Sequence, residues 1–221
     1  MNGAESLTKA LAKEGVKVCF ANPGTSEMHL VNALDSETGI RSILCLFEGV
    51  CTGAADGYGR MTGKPAATLL HLGPGLANGI SNLHNARKAS TPIINLVGDH
   101  ADYHRKYDSP LNSDITALAS NVSSWIKSDS TSMSLSSDVI EALNSAINPK
   151  PRPDGQISTL IIPANAAWEE GTETVRRSEL KGRGQISKTK IDETVGQIDS
   201  ECLILLGSDG LSVAARQAAG R

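Results

Sequence analysis

The sequence predicts an α/β protein: a parallel sheet with helices on both faces, followed by the start of a second α/β domain. Three observations predict it. Short apolar runs alternate with segments of helical spacing, as strand–helix–strand units require. The polar and glycine-rich clusters fall just after the apolar runs, where parallel sheets place their ligands. The 221 residues are 39% hydrophobic and 20% charged, the balance of a folded globular chain.

The elements follow in order. Leu7, Ala10 and Leu11 lie at helical spacing and precede a strand candidate at 16–20. Further strands are expected at 43–47, 66–72, 93–97 and 158–162. Between them, amphipathic or small-residue segments at about 27–36, 49–62, 76–89 and 135–147 read as helices. Residues 120–137 are rich in Ser, Asp and Thr but contain Val122, Trp125 and Ile126, so they read as exposed loop with a short strand. Only 3% of residues are aromatic, so the core is expected to consist of Ala, Val, Leu and Ile.

The domain reading is 1–168 for the first domain, 169–188 for a linker, and 189–221 for the incomplete start of another domain. The linker is polar and glycine-rich without apolar periodicity. After it, Ile191, Val195 and Ile198 are spaced for one helical face. Residues 202–207 then read as a strand. A segment this short cannot bury enough surface to stand alone.

Composition excludes several classes. A net charge of −3 argues against a nucleic-acid binder, and the basic run Arg176, Arg177, Lys181, Arg183 and Lys188 reads as solvated linker. No apolar run approaches the roughly 20 residues that span a bilayer. Met1-Asn2-Gly3-Ala4-Glu5 has neither a signal-peptide nor a transit composition, so a cytoplasmic location is expected. Cys19, Cys45, Cys51 and Cys202 form no CxxC pair and read as reduced thiols, three of them buried.

Four strand ends open into unusual residues: Asn22-Pro23-Gly24-Thr25, Glu48-Gly49, His71-Leu72-Gly73-Pro74-Gly75 and Gly98-Asp99-His100. Such convergence points to one shared site. Glu48 closes an apolar run, where desolvation raises a carboxyl pKa while a following helix N-terminus lowers it. The sequence does not decide between the two. The plain alternative is an N-capping Glu, though Glu is not among the preferred caps. Gly49, Gly53 and Gly57 fall at i, i+4 and i+8 of the next helix, at roughly 1 kcal/mol each relative to Ala. Close approach of another helix would offset that, either between subunits or within the chain. His100 and His104 with Asp99 and Asp102 form an ordinary charged loop rather than a metal site, and no metal ligands are assigned. His29 and His84 read as surface or packing residues.

Phe20-Ala21-Asn22-Pro23-Gly24-Thr25-Ser26-Glu27, then Leu46-Phe47-Glu48-Gly49-Val50-Cys51-Thr52-Gly53-Ala54-Ala55-Asp56-Gly57-Tyr58-Gly59-Arg60, then Gly73-Pro74-Gly75 with Asn78, occur in that order. These motifs resemble the thiamine diphosphate-dependent enzymes of the acetolactate synthase large subunit and benzoylformate decarboxylase type, over about residues 3–165. The resemblance implies that the first domain binds the cofactor's aminopyrimidine. A Glu at the position of Glu48 bonds N1′ there and favours the imino tautomer, whose 4′-nitrogen removes the thiazolium C2 proton. The resulting ylide attacks a 2-oxo acid. The resemblance carries Asn22, Pro23 and Gly24 over as a loop beside the pyrimidine or substrate, and Gly75 and Asn78 as a second pyrimidine-facing turn.

His71 stands where benzoylformate decarboxylase has an active-site His, which tilts the expectation toward protonation of the carbanion and aldehyde release. The plain alternative is a His held at a strand end by a backbone partner. Thr25 and His100 are further substrate candidates. The family holds Mg²⁺ and the diphosphate with a Gly-Asp-Gly motif and a downstream Asn in a separate domain. Ser208-Asp209-Gly210 lacks the first Gly and that Asn. The resemblance therefore implies half a site, completed by a homo-oligomer or a full-length relative, and a chain inactive alone. The alternatives are a non-catalytic dimerising or regulatory protein of this descent and a nucleotide binder, the latter disfavoured because no GxGxxG follows the first strand.

Overall fold

The computed structural model describes residues 1–148, 156–172 and 186–220. The chain divides into two compact units, Met1–Glu179 and Leu180–Arg221.

The first unit is built on six strands: β1 Val18–Asn22, β2 Arg41–Leu44, β3 Ala66–Leu70, β4 Ile93–Asp99, β5 Trp125–Lys127 and β6 Ile157–Pro163. They form one parallel sheet in the order β2-β1-β3-β4-β6-β5. The α/β class expected from the sequence is the one observed. Its helices are α1 Gly3–Lys13, α2 Met28–Ser36, α3 Glu48–Thr62, α4 Leu72–Ala89, α5 Ile115–Ser120, α6 Leu135–Ile147 and α7 Ala164–Trp168.

Strand periodicity sorts the core into two layers. Ala67 and Leu69 of β3, Ile94 and Leu96 of β4, and Leu160 and Ile162 of β6 pack with Leu7, Leu11, Leu30, Leu135 and Val139 of α1, α2 and α6. The intervening Ala66 and Leu70, Ile93 and Val97, and Ile157 and Ile161 pack with Cys51, Ala55, Leu76, Leu83 and Ile115 of α3, α4 and α5. Inside the sheet Thr68 donates to Asn95, and Asn95 donates to Thr159, at 2.9 and 3.1 Å. Those bonds satisfy three buried polar side chains across β3, β4 and β6. Asn2 caps α1 in a reciprocal box with Glu5.

Several expectations shift. β2 begins at Arg41 and ends at Leu44, so only part of the apolar run 43–47 is strand. Leu44 and Leu46 are 73% and 93% exposed and Phe47 is half exposed, because β2 is a short edge strand that ends at Leu44. β1 extends to Asn22, and α4 begins at Leu72 rather than near 76. The start of the expected linker is tied down: Glu170 bridges Asn2, and Ser6 Oγ donates to the Thr172 carbonyl at 2.8 Å. Arg176, Arg177, Lys181 and Arg183 lie outside the described residues.

The second unit contains α8 Lys188–Val195 and α9 Val213–Ala219. The helix expected around Ile191, Val195 and Ile198 forms, but Ile198 lies past its end. Residues 202–207 are not a strand. Among the described residues they have no pairing partner, and an unpaired segment has nowhere to place its backbone donors and acceptors except water.

Candidate functional site

The strand order reverses between β1 and β3, since the chain leaves β1 outward to β2 and returns to β3 on its other side. Open α/β sheets bind ligands at the carboxyl ends of the strands beside such a switch. Here those ends carry Asn22 and His71.

Asn22 closes β1 and donates its amide to the Cys45 carbonyl at 2.7 Å, tying the ends of β1 and β2 together. Pro23 and Gly24 follow, and the Gly24 N–H donates to Glu27 Oε2 at 2.7 Å across a single 3₁₀ turn, Thr25–Glu27. Gly24 has ordinary extended backbone angles, so its conformation does not require glycine. Space does: a Cβ there would run into the ring of His71.

His71 follows β3 at the N-cap of α4, and its Nδ1 lies 2.8 Å from Glu27 Oε2. Leu72 beside it adopts φ +54°, a left-handed conformation rare for a leucine and costing about 1–3 kcal/mol. That turn lets the chain pass directly from the strand into α4, whose Gly75 N–H bonds the His71 carbonyl at 2.8 Å. Pro74 fits because its missing N–H falls in the first helical turn.

Glu27 is fully buried, and its Oε1 has no hydrogen-bond partner. A Cβ on Gly98 of β4 would collide with that oxygen. Burial pushes the Glu27 carboxyl above its ordinary range, while the bonds from Gly24 and His71 pull the other way.

Glu48 is the first residue of α3 and accepts from Asn78 Nδ2 of α4 at 3.0 Å. The N-capping alternative for it is set aside, since Phe47 holds the cap position. Glu48 Oε1 sits 3.2 Å from where a Gly75 Cβ would be. Three strand-end and helix-start glycines thus make room for three polar side chains: Gly24 for His71, Gly98 for Glu27 and Gly75 for Glu48.

The glycine stripe of α3 turns out to be mixed. Asn82 Nδ2 donates to the Gly49 carbonyl at 2.7 Å, and Thr52 Oγ1 donates to the Gly79 carbonyl at 3.0 Å. Gly53 faces Asn82, and a Cβ on Gly79 would come within 2.7 Å of Thr52. That is a close contact between α3 and α4 within the chain. Gly57 faces open space.

A second cluster lies where β4 and β6 end. Thr25, Ser26, His100, Ala101, Tyr103, His104, Ala164 and Trp168 line a recess of about 230 Å³. His100 Nε2 lies 3.1 Å from Ser109 Oγ, and its ring meets His104 edge to face. Burial raises the Asp99 carboxyl, opposed by Arg105, whose Nε lies 2.9 Å from Oδ2. No group of three or more His, Cys, Asp or Glu side chains among the described residues could hold a metal ion.

The structure therefore joins Gly24, His71, Gly75, Glu48 and Asn78 in one chain of contacts. Asn22 and Pro23 stand at its edge, and Thr25 and His100 line the neighbouring recess. Glu27 was not among the sequence-derived candidates. Its signal was present as the sole acid in the segment following β1, three residues after Gly24.

The Glu48 carboxyl is half-buried, lies where Gly75 has no Cβ, and can share a proton with the nitrogen of an aromatic heterocycle. Residues 1–120 match the family described as thiamine pyrophosphate enzyme, N-terminal TPP binding domain. The chain is 46% identical over 223 residues to the "Putative acetolactate synthase large subunit IlvX" of Mycobacterium tuberculosis, spanning 98% of this chain and 42% of that protein. It is 32% identical over 119 residues to the acetolactate synthase large subunit of Buchnera aphidicola subsp. Acyrthosiphon pisum, covering 54% of this chain and 21% of the relative. Among solved structures, a thiamine diphosphate-dependent 4-hydroxybenzoylformate decarboxylase of Rhodococcus jostii RHA1 shares the fold, with a TM-score of 0.80 at 21% identity over 88% of this chain and 37% of the other. The chain thus spans less than half the length of these relatives.

Proposed function

This chain belongs to the thiamine pyrophosphate enzyme family through its N-terminal TPP binding domain, and from that premise we propose that it supplies the pyrimidine half of a thiamine diphosphate site acting on a 2-oxo acid. The observation that carries the proposal is the setting of Glu48: a carboxylate at the switch-point edge of the sheet, steadied by Asn78 and given room by Gly75. When bound, the cofactor supplies a thiazolium carbon that attacks the carbonyl and holds the electrons left as CO₂ departs.

Glu48 binds the ring nitrogen N1′ of the aminopyrimidine and holds the proton exchanged there. Asn78 fixes the Glu48 carboxylate by donating to one of its oxygens, so that the other faces the ring. Gly24 makes room for the ring of His71 and Gly75 for the carboxylate of Glu48, so both side chains reach the same end of the sheet. His71 moves a proton to or from the reacting carbon, which favours aldehyde release over carboligation. Thr25 and His100 bound the recess that takes the remainder of the 2-oxo acid.

Mg²⁺ and the diphosphate would be held by residues other than these 221, such as those of a full-length relative. The sequence carries no complete Gly-Asp-Gly with a downstream Asn. Exposed Leu44, Leu46, Phe47 and Val50 around Glu48 support a covering partner, because large apolar side chains clustered on a surface mark association sites. The same residues also support the alternative of a non-catalytic partner that docks on a relative. Release of CO₂ from a panel of 2-oxo acids, measured on the protein purified with whatever partners it retains, separates the two. Turnover abolished by Glu48→Gln supports the catalytic reading. A partnered complex whose turnover ignores Glu48→Gln supports the other.

A further inference from the structure

Among the described residues Glu27 is the one fully buried carboxylate beside His71, and it is used on one side only. Oε2 accepts from the Gly24 N–H at 2.7 Å and lies 2.8 Å from His71 Nδ1, whereas Oε1 has no partner and is pressed against Gly98. A buried carboxylate is costly, and two hydrogen bonds offset only part of that cost. A fold that keeps it there, and leaves the Cβ off Gly98 to admit it, has a use for it at Nδ1. Packing leaves His71 little other freedom, since its ring fills the space where a Gly24 Cβ would stand. Its second ring nitrogen, Nε2, makes no hydrogen bond among the described residues.

We propose that Glu27 is a positioning residue for His71: it holds the ring's resident proton on Nδ1 and so keeps Nε2 as the nitrogen that exchanges protons with the substrate. An ionised carboxylate only accepts hydrogen bonds, and Oε2 already accepts one from Gly24, so the proton between the pair sits on Nδ1. In that tautomer the neutral ring presents a bare Nε2, a proton acceptor. When the pair carries one more proton, Nε2–H becomes the donor, the Glu27 charge offsets the imidazolium, and loss of the Nε2 proton to carbon returns the ring to the Nδ1–H form. Protons balance by uptake from water at Nε2. This is the logic by which an acid behind an imidazole fixes its orientation and tautomer in other proton-transfer sites. The inference rests on the reading that His71 takes part in proton transfer, but the hold of Glu27 on His71 can be measured without any turnover.

The test is ¹⁵N NMR of the histidine rings in the full 221-residue chain, with the His71 signals assigned by their loss in His71→Gln and recorded on the alkaline side of the ring's titration. The expected wild-type spectrum has His71 protonated on Nδ1, and Glu27→Leu moves the proton to Nε2 or to a mixture. A wild-type His71 protonated on Nε2 overturns the proposal, as does an unchanged Nδ1–H tautomer in folded Glu27→Leu. If Glu27→Leu does not fold, the wild-type spectrum decides alone. A failed turnover assay with the expected tautomers would instead count against the catalytic reading and leave the positioning role standing.

Discussion

Replacing Gly57 with alanine isolates the one member of the α3 glycine stripe that touches nothing. Its added Cβ meets no atom within 4 Å, and the residue is exposed in the middle of a 15-residue helix. With no steric term, the change is governed by helix propensity and the entropy of the unfolded chain. It should stabilise the fold by about 0.5–1 kcal/mol. For a chain of this size that corresponds to a rise in melting temperature of about 1–4 °C. Gly59→Ala, two residues on, provides the contrast. There the new Cβ would strike the Thr91 methyl, with the Pro92 carbonyl 3.3 Å away. Overpacking at such a site costs about 1–3 kcal/mol. Thermal unfolding followed by circular dichroism reads both. A destabilising Gly57→Ala would refute the reasoning, because it would mean that a second backbone covers Gly57 and that the stripe serves contact between subunits.

Further predictions concern the site and its supports. The Glu27 carboxyl is raised above its ordinary 4.5 by burial, so between that value and its folded pKa the native state holds a proton that the unfolded chain has released. Its contribution to stability is therefore complete below about 4.5 and is lost as pH rises through the folded pKa, by about 1.4 kcal/mol for each tenfold difference in proton affinity. Glu27→Gln should flatten that decline in urea titrations run across the acid range, and an unchanged slope would contradict it. Asn82→Ala removes the donor to the Gly49 carbonyl and should cost about 1 kcal/mol, read as a lower urea midpoint at constant slope. Cys19 is buried and its thiol is pushed up to about 12, while Cys45 and Cys51 are also buried and Cys202 is exposed. An aromatic disulfide reagent should therefore label Cys202 alone in the native chain and all four thiols after denaturation.

The sheet was readable because β3, β4 and β6 are buried on both faces and appear as mainly apolar runs, interrupted only by small or hydrogen-bonded polar residues such as Thr68, Asn95 and Thr159. The same rule misplaced β2. As an edge strand it begins with the polar pair Arg41 and Ser42, while the end of the apolar run, 45–47, belongs to the turn into α3. α5 went unseen because six residues carry too few turns for a period to show. Residues 202–207 had the composition of a strand, but composition does not supply the neighbour that a strand requires. In the site, Glu48, His71 and Gly75 stood out in clusters next to strand ends, whereas Asn78, inside α4, entered through the family resemblance alone. Glu27 did not stand out, since its meaning depends on His71 and Gly98, which only the sheet order brings beside it. Gly24 was legible only as part of the loop after β1; that its missing Cβ makes room for the His71 ring needed the sheet order that brings β3 beside β1.

The most direct test of the central claim is the exchange of the C2 proton of thiamine diphosphate with deuterium, followed by quenched-flow ¹H NMR on the protein purified with its retained partners and Mg²⁺. It reads the action of Glu48 on the cofactor without requiring knowledge of the 2-oxo acid. The account predicts accelerated exchange in the wild type, slowed by about 10²–10⁴-fold in Glu48→Gln, the span that a positioned acid–base group supplies. Equal exchange rates in wild type and Glu48→Gln, with both loaded with cofactor, would contradict it.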